Sequence, residues 1–133
     1  MAPSDSHPAV LLDSLAAESY VSLGTFRKNG TTVETPVWVA PLDGRLVVVT
    51  DGTSAKVKRI RANERVRLAA CDVRGKVRGN WLEGRARIIA DRDHAERAHA
   101  ALIAKYGWQM RLLDLGSWLG GRISRRAYLE IDD

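Results

Sequence analysis

Residues 50–61, TDGTSAKVKRIR, place hydroxyl and basic side chains in an order that suits phosphate binding. Gly52 allows a tight turn after an apolar, β-branched run, and Thr53 or Ser54 is a good N-cap for a short helix. The N-terminus of a helix presents free backbone N–H groups and the positive end of the helix dipole, which together attract a phosphate. The Ser54 hydroxyl and the Lys56 ammonium group would add a donor and a compensating charge.

The positive charge of the chain is concentrated around this segment. The formal net charge is +5, and residues 51–78 hold nine Lys or Arg against three Asp or Glu, so they account for the whole excess. A solvated basic helix is the ordinary explanation of such a run, and it stays open beside phosphate binding. Duplex binding requires a recognition helix with base-reading side chains. The predicted helix carries mainly Lys and Arg and lies between strands, so we expect no nucleic-acid partner.

Other residues that could carry chemistry are few. Cys71 is the single cysteine, so the chain can form no intrachain disulfide and no cysteine-based zinc site. His94 and His99 are five positions apart on a predicted helix and do not share a face, which argues against a metal site. The motifs of phosphate loops, dinucleotide-binding turns and serine hydrolases do not occur. We therefore predict no bound metal, and the sequence identifies no catalytic side chain.

Length and composition predict one domain over residues 1–133, with residues 1–5 as a loose N-terminus. The chain is 45% hydrophobic and 28% charged, as in ordinary globular proteins. The first residues lack the basic and apolar regions of a signal peptide, and no apolar run approaches the length of a membrane-spanning helix. Together with the single cysteine, this predicts a cytoplasmic protein.

Alternating apolar and polar residues predict a mainly β protein. The six predicted strands are residues 20–28, 31–41, 45–50, 65–73, 81–89 and 125–131. Asn29-Gly30 and Asp43-Gly44 are each typical of a two-residue hairpin turn, because both positions tolerate positive φ. Consecutive hairpins imply mostly antiparallel pairing and favour a small barrel over a doubly wound sheet.

Three to four helices accompany these strands. One starts near Pro8, one follows Ser54, and one ends at Gly107. The last covers Trp108–Leu119, where large apolar residues recur at helical spacing. This apolar face is expected either to line a substrate pocket or to pack against the core or a second subunit.

Two segments carry a resemblance to a known family. TFRKNGTTVETPVW (residues 25–38) and VVTDGTSAKVKRIRANERVRLAACDVRG (residues 48–75) resemble the pyridoxamine 5′-phosphate oxidase-like proteins of the flavin/deazaflavin oxidoreductase superfamily. Within that superfamily the chain is similar to the actinobacterial group associated with the deazaflavin coenzyme F420. The resemblance extends from about residue 12 to residue 131. It implies a split β-barrel of the FMN-binding type, which forms a homodimer with two cofactor sites between the subunits.

The resemblance also implies which residues bind the cofactor. In the family, a T-P-V-W segment follows the edge of the tricyclic ring, a T-x-x-x-S-x-K segment holds the phosphate, and residues of the partner subunit close the site. Lys58 lies beside the phosphate segment and would contact the phosphate or an anionic tail. The implied cofactor-binding residues are Thr35, Pro36, Val37, Trp38, Thr50, Ser54, Lys56, Lys58, Asn80 and Trp81, of which Asn80 and Trp81 come from the partner subunit.

The function implied by the resemblance is an F420-dependent oxidoreductase that transfers a hydride between the deazaflavin and an electron-poor small molecule. The cofactor supplies this chemistry, and the protein supplies position and electrostatics. An FMN-dependent oxidoreductase of the same fold is an alternative, because a phosphate site alone does not distinguish the two cofactors. A non-catalytic carrier or sensor that binds a flavin or haem is another. The absence of histidine from the predicted strands argues against haem ligation.

Overall fold

The computed structural model of the protein describes residues 14–119 and 126–132. Within these ranges the chain forms the strands β1 (Tyr20–Phe26), β2 (Thr32–Val37), β3 (Val39–Leu42), β4 (Arg45–Asp51), β5 (Arg65–Cys71), β6 (Leu82–Ile88) and β7 (Arg126–Asp132). The helices are α1 (Ala55–Ala62), α2 (Arg92–Tyr106) and α3 (Trp108–Leu119), and residues 14–16 form one further helical turn. The predicted loose N-terminus and most of the predicted first helix lie outside the described residues.

The seven strands form one antiparallel sheet that closes into a barrel. Their order across the sheet is β2-β1-β5-β6-β7-β4-β3. The strands β2 and β3 lie at opposite edges, although only Trp38 separates them in the chain. Because the two edges are joined through a single residue, they must lie next to each other, and the sheet curls round to meet itself. The predicted mainly β barrel fold is therefore confirmed.

The number of strands differs from the prediction. The sequence predicts six strands, whereas the described residues form seven, because the single strand expected over residues 31–41 bends at Trp38. Val37 pairs with Val21 of β1, and Val39 pairs with Val48 of β4. Both halves alternate as one long strand would, so periodicity alone contains no sign of the bend.

The two predicted hairpin turns have different structures. Asp43 (φ 54°) and Gly44 (φ 77°) form the expected two-residue turn between β3 and β4. Between β1 and β2 the connection is wider than predicted and spans residues 27–31, where Gly30 has a φ of 88°. The Oδ1 atom of Asn29 accepts hydrogen bonds from the N–H (3.0 Å) and the hydroxyl (2.7 Å) of Thr31, which stabilises this wider turn.

Apolar side chains fill the barrel and the layer outside it. The barrel core takes buried side chains from all seven strands, and Ile60 of α1 also belongs to it. Outside the barrel, Ala98 and Leu102 of α2 pack with Ala40 and Val47 of β3 and β4. The helix α1 therefore packs on the barrel just after β4 ends, and α2 lies against the outer face of β3 and β4.

The C-terminal end of α2 holds the bend at Trp38. The Tyr106 ring stacks on Trp38 with the ring centroids 4.5 Å apart and the planes 12° from parallel. The Tyr106 hydroxyl accepts a hydrogen bond from the Val39 N–H (3.0 Å) and donates to the Ser19 carbonyl (2.9 Å). Lys105 Nζ donates to the Val39 carbonyl at 2.6 Å. Burial raises the pKa of Tyr106 to about 12, so its hydroxyl remains a donor at neutral pH.

Replacing Tyr106 with phenylalanine keeps the ring stack but removes the acceptor of the Val39 N–H, which belongs to a fully buried residue. We expect the free energy of unfolding to fall by about 1–3 kcal/mol, as for other unsatisfied buried groups. Urea denaturation measures this loss. Tyr20→Phe is the control, because the Tyr20 hydroxyl has no hydrogen bond within the described part of the chain, and its effect should stay within about 0.5 kcal/mol. Equal stability of Tyr106→Phe and wild type would show that the hydroxyl does not hold the bend.

Candidate functional site

A cavity of about 310 Å³ lies where the bend between β2 and β3 meets the end of β4, the start of α1 and α3. Five of the ten predicted cofactor-binding residues line it, namely Pro36, Val37, Trp38, Thr50 and Lys56. Barrel closure brings the T-P-V-W segment next to the phosphate segment, because β3 pairs with β4. Their roles in cofactor binding remain a prediction, but their convergence makes this cavity the candidate site.

Lys56 is the cation of this cavity. Its side chain is half-buried, and its Nζ donates a hydrogen bond to Thr50 Oγ1 at 3.3 Å. Within the described residues it forms no ion pair. Burial and then the charge of Arg59 lower the pKa of Lys56, whereas Asp51 opposes the shift. A half-buried ammonium group without a carboxylate partner would be stabilised by an anion that enters the cavity.

The turn between β4 and α1 is held by its own side chains. Asp51 Oδ1 accepts hydrogen bonds from the Thr53 N–H (2.8 Å) and the Thr53 hydroxyl (2.7 Å). Ser54 is the N-cap of α1, and its Oγ accepts a hydrogen bond from the Val57 N–H at 3.4 Å. Ser54 does not line the cavity. Because its Oγ acts as an acceptor in the cap, its hydroxyl hydrogen is still available for a ligand oxygen.

The other basic residues of α1 have different environments. Arg59 Nε donates a hydrogen bond of 2.6 Å to Thr25 Oγ1, and Thr25 is only 1% exposed. Arg59 therefore ties α1 to β1 rather than extending into solvent. Lys58 is exposed, as a residue that contacts a ligand tail would be, and Arg61 borders a second cavity.

Three further predicted residues lie away from the candidate cavity. Thr35 pairs with Leu23 across β1 and β2, and its Oγ1 is buried without a hydrogen-bond partner among the described residues. Asn80 is exposed, and the Trp81 ring stacks on the Arg67 guanidinium group at 4.0 Å. In a single chain these last two do not border the cavity, so a contribution from the partner subunit stays a prediction.

Sequence patterns did not identify three lining residues, Tyr20, Val49 and Leu113. Tyr20 and Val49 have the sequence pattern of ordinary strand residues, and strand pairing brings them to the cavity. Leu113 lies on α3, whose apolar face was expected to line a pocket or to pack. On the same helix Met110 is fully buried in the core, whereas Trp108, Leu112 and Leu115 are exposed at 69%, 57% and 51%.

The described residues contain no other obvious reactive centre. No group of three or more His, Cys, Asp or Glu side chains in the described ranges is arranged to hold a metal ion. Cys71 is buried, and this burial raises the pKa of its thiol, which disfavours the reactive thiolate. None of the helices in the described ranges is long and apolar enough to cross a membrane.

Comparison with known proteins identifies relatives by sequence model and by fold. The family model for pyridoxamine 5′-phosphate oxidase matches residues 8–131. No curated protein matches the chain. A conserved hypothetical protein from Mycobacterium tuberculosis superimposes with a TM-score of 0.67 at 21% identity, covering 92% of this chain and 77% of that one.

Two further solved structures with the same fold are of proteins named for the group that they bind or store. An FAD-binding protein from Mesorhizobium loti has a TM-score of 0.61 at 18% identity, with 92% of this chain and 84% of that chain covered. The haem storage protein HutZ from Vibrio cholerae has a TM-score of 0.65 at 8% identity, with coverages of 98% and 87%. At these identities the similarity shows the split-barrel fold.

Proposed function

Because the chain belongs to the pyridoxamine 5′-phosphate oxidase family, we propose that it is an oxidoreductase that uses the deazaflavin coenzyme F420. It would transfer a hydride between this coenzyme and an electron-poor small molecule. The observation that carries the proposal is the half-buried Lys56 ammonium group, which has no ion-pair partner in the described residues and lies in one cavity with Pro36 and Trp38.

The residues present suit a phosphorylated tricyclic cofactor. Lys56 and Thr50 would bind the phosphate, with the Ser54 hydroxyl as a further donor. The T-P-V-W segment would border the ring, with Trp38 held rigidly by its stack on Tyr106. The bound cofactor would supply the hydride chemistry, and the chain would supply position and positive charge.

FMN in the same cavity is the alternative cofactor, and the FAD-binding relative supports a flavin in general. The resemblance of the phosphate segment to F420-associated proteins favours the deazaflavin. The exposed Lys58 supports the same choice, because a cation beyond the phosphate suits the acidic tail that F420 has and FMN lacks.

A haem-binding carrier or sensor is the third candidate, and HutZ is the relative that suggests it. The described histidines do not favour it. His94 Nε2 lies 3.0 Å from Glu130, and His99 Nε2 lies 2.8 Å from Asp114. Neither residue borders the candidate cavity, so the described residues offer no histidine ligand for haem iron there.

Titration of the purified protein with F420, FMN and haem tests the proposed function. Binding near Trp38 should quench tryptophan fluorescence, and we expect F420 to saturate at lower concentration than FMN or haem. If FMN bound more tightly than F420, FMN would be the inferred cofactor instead of the deazaflavin. If none of the three bound to the folded protein, the proposed function would be wrong.

We also propose that the active form is a cytoplasmic homodimer with shared sites. Trp108, Leu112 and Leu115 form an exposed apolar face on α3, and such faces are commonly covered by a partner. We expect sedimentation equilibrium at micromolar concentration to give twice the 14.7 kDa of one chain. A monomeric mass would count against both the dimer and a contribution of Asn80 and Trp81 from the partner subunit.

A further inference from the structure

A second, larger cavity of about 800 Å³ lies beside the candidate cofactor cavity. Thr50 lines the first cavity, and Gly52 and Thr53 of the following turn line the second. The second cavity is bordered by the end of α1, the first half of α2 and the start of β7. Its volume is within the range of small-molecule sites.

Arginines from three different elements meet at this cavity. Arg61 comes from α1, Arg92 from α2 and Arg126 from β7. The Arg126 side chain is 7% exposed, and its Nη1 donates to Asp114 Oδ1 at 2.5 Å. Arg61 and Arg92 form no ion pair within the described residues. One carboxylate, that of Glu96, is among the described lining residues and opposes their charge.

Such an arrangement suits an anionic ligand. Like charges that converge from separate elements repel each other, and the repulsion is relieved when an anion lies between them. Guanidinium groups match the planar oxygens of carboxylates and phosphates and bind them through paired hydrogen bonds. We propose that this cavity binds a small molecule with two or more phosphate or carboxylate groups, at a site separate from the cofactor cavity.

Isothermal titration with inorganic pyrophosphate and with citrate tests the proposal at low ionic strength. The protein carries Lys56→Ala, which removes the cation of the first cavity, so any remaining anion site lies elsewhere. We expect one site with a dissociation constant below about 1 mM. Pyrophosphate as the tighter probe would indicate phosphate esters as natural ligands, and citrate would indicate polycarboxylates. Either result supports the proposal.

Charge variants locate the site. In the same background, Arg61→Gln and Arg92→Gln should each weaken binding about three- to tenfold, since both side chains are partly solvated. Glu96→Gln should strengthen binding about threefold, because it removes the opposing charge. Arg85→Gln is the matched control, an exposed arginine on β6 that does not border the cavity, and it should leave the affinity unchanged.

The proposal of a second anion site can fail while the proposed cofactor function still holds. Circular dichroism would first show that each variant is folded. No saturable binding of either probe up to about 10 mM, or equal affinities in the Arg61, Arg92 and Glu96 variants, would overturn the second site. The cofactor titration depends on Lys56 and the first cavity, so its outcome is read separately.

Discussion

Lys56→Ala is expected to weaken F420 binding about 10- to 100-fold, the effect of removing a charge-assisted hydrogen bond in a half-buried site. The reason is the environment of Lys56, whose Nζ contacts Thr50 and meets no carboxylate within ion-pair distance in the described residues. Its charge is therefore free to neutralise the cofactor phosphate. Fluorescence titration of wild type and variant with F420 measures the change.

Lys28→Ala is the matched control, because Lys28 is an exposed lysine in the turn between β1 and β2 and does not border the candidate cavity. It should change the affinity less than about threefold, as expected for a solvated charge away from the ligand. A Lys56→Ala protein that is folded and binds F420 as tightly as wild type would contradict the proposed phosphate site.

The affinity for F420 should also depend on pH, because Lys56 binds the phosphate only when it is protonated. Burial lowers the pKa of Lys56 from its ordinary value of 10.5. The cationic form binds the phosphate, so affinity should fall as pH rises through this lowered pKa. The decrease should therefore begin at a lower pH than an ordinary lysine would give, and Lys56→Ala should abolish it.

Asp114→Ala is expected to lower the free energy of unfolding by about 2–3 kcal/mol, somewhat less than the loss of one partner from a fully buried ion pair. The Asp114 carboxylate on α3 lies 2.8 Å from His99 Nε2 on α2 and 2.5 Å from Arg126 Nη1 on β7. Because the Arg126 side chain is only 7% exposed, water can replace little of the lost interaction. Urea denaturation measures the difference.

The same carboxylate should contribute to acid sensitivity. Burial by itself would raise the pKa of Asp114, but the hydrogen bonds from Arg126 and His99 outweigh it and lower the pKa below its usual 3.8. The stabilisation is present above the ordinary pKa and is lost as pH falls through the lowered value in the folded state. Asp114→Ala should remove this part of the stability loss below pH 3.8.

Asp93→Ala provides the control for both measurements. Asp93 is an exposed carboxylate in the first turn of α2, where it interacts with the helix dipole. Its loss should cost less than about 1 kcal/mol. If Asp114→Ala were no more destabilising than Asp93→Ala, the contacts of Asp114 would not be what holds α3 in place.

Much of the fold follows from local sequence chemistry. Alternation locates the strands, and Asp43-Gly44 gives a two-residue turn because both residues adopt positive φ. Asn29-Gly30 gives a wider turn than expected, since the Asn29 side chain bonds to Thr31 instead. Such competition between side-chain and backbone hydrogen bonds depends on the neighbouring residues as well as on the dipeptide.

The candidate site, like the fold, was predicted only in part from the sequence. The hydroxyls and lysine of residues 50–61 can be assigned to phosphate binding from their types, spacing and family resemblance. Arg59, which has the same charge and a nearby position, is instead bonded to the buried Thr25. In the sequence, Lys56 and Arg59 are both basic residues of the same helix. Only the folded chain shows that the Lys56 side chain enters the candidate cavity while the Arg59 side chain bonds to Thr25.

By itself the sequence determined the mainly β class, the helix after Ser54 and the residue types that suit one phosphate. Tertiary structure decided that Trp38 bends one strand into two, which closes the barrel and brings Pro36 and Trp38 beside Lys56. It also exposed the apolar face of α3 and grouped Arg61 with Arg92. The physical reason is that periodicity and capping act over a few residues, whereas barrel closure depends on pairing between strands far apart in the chain.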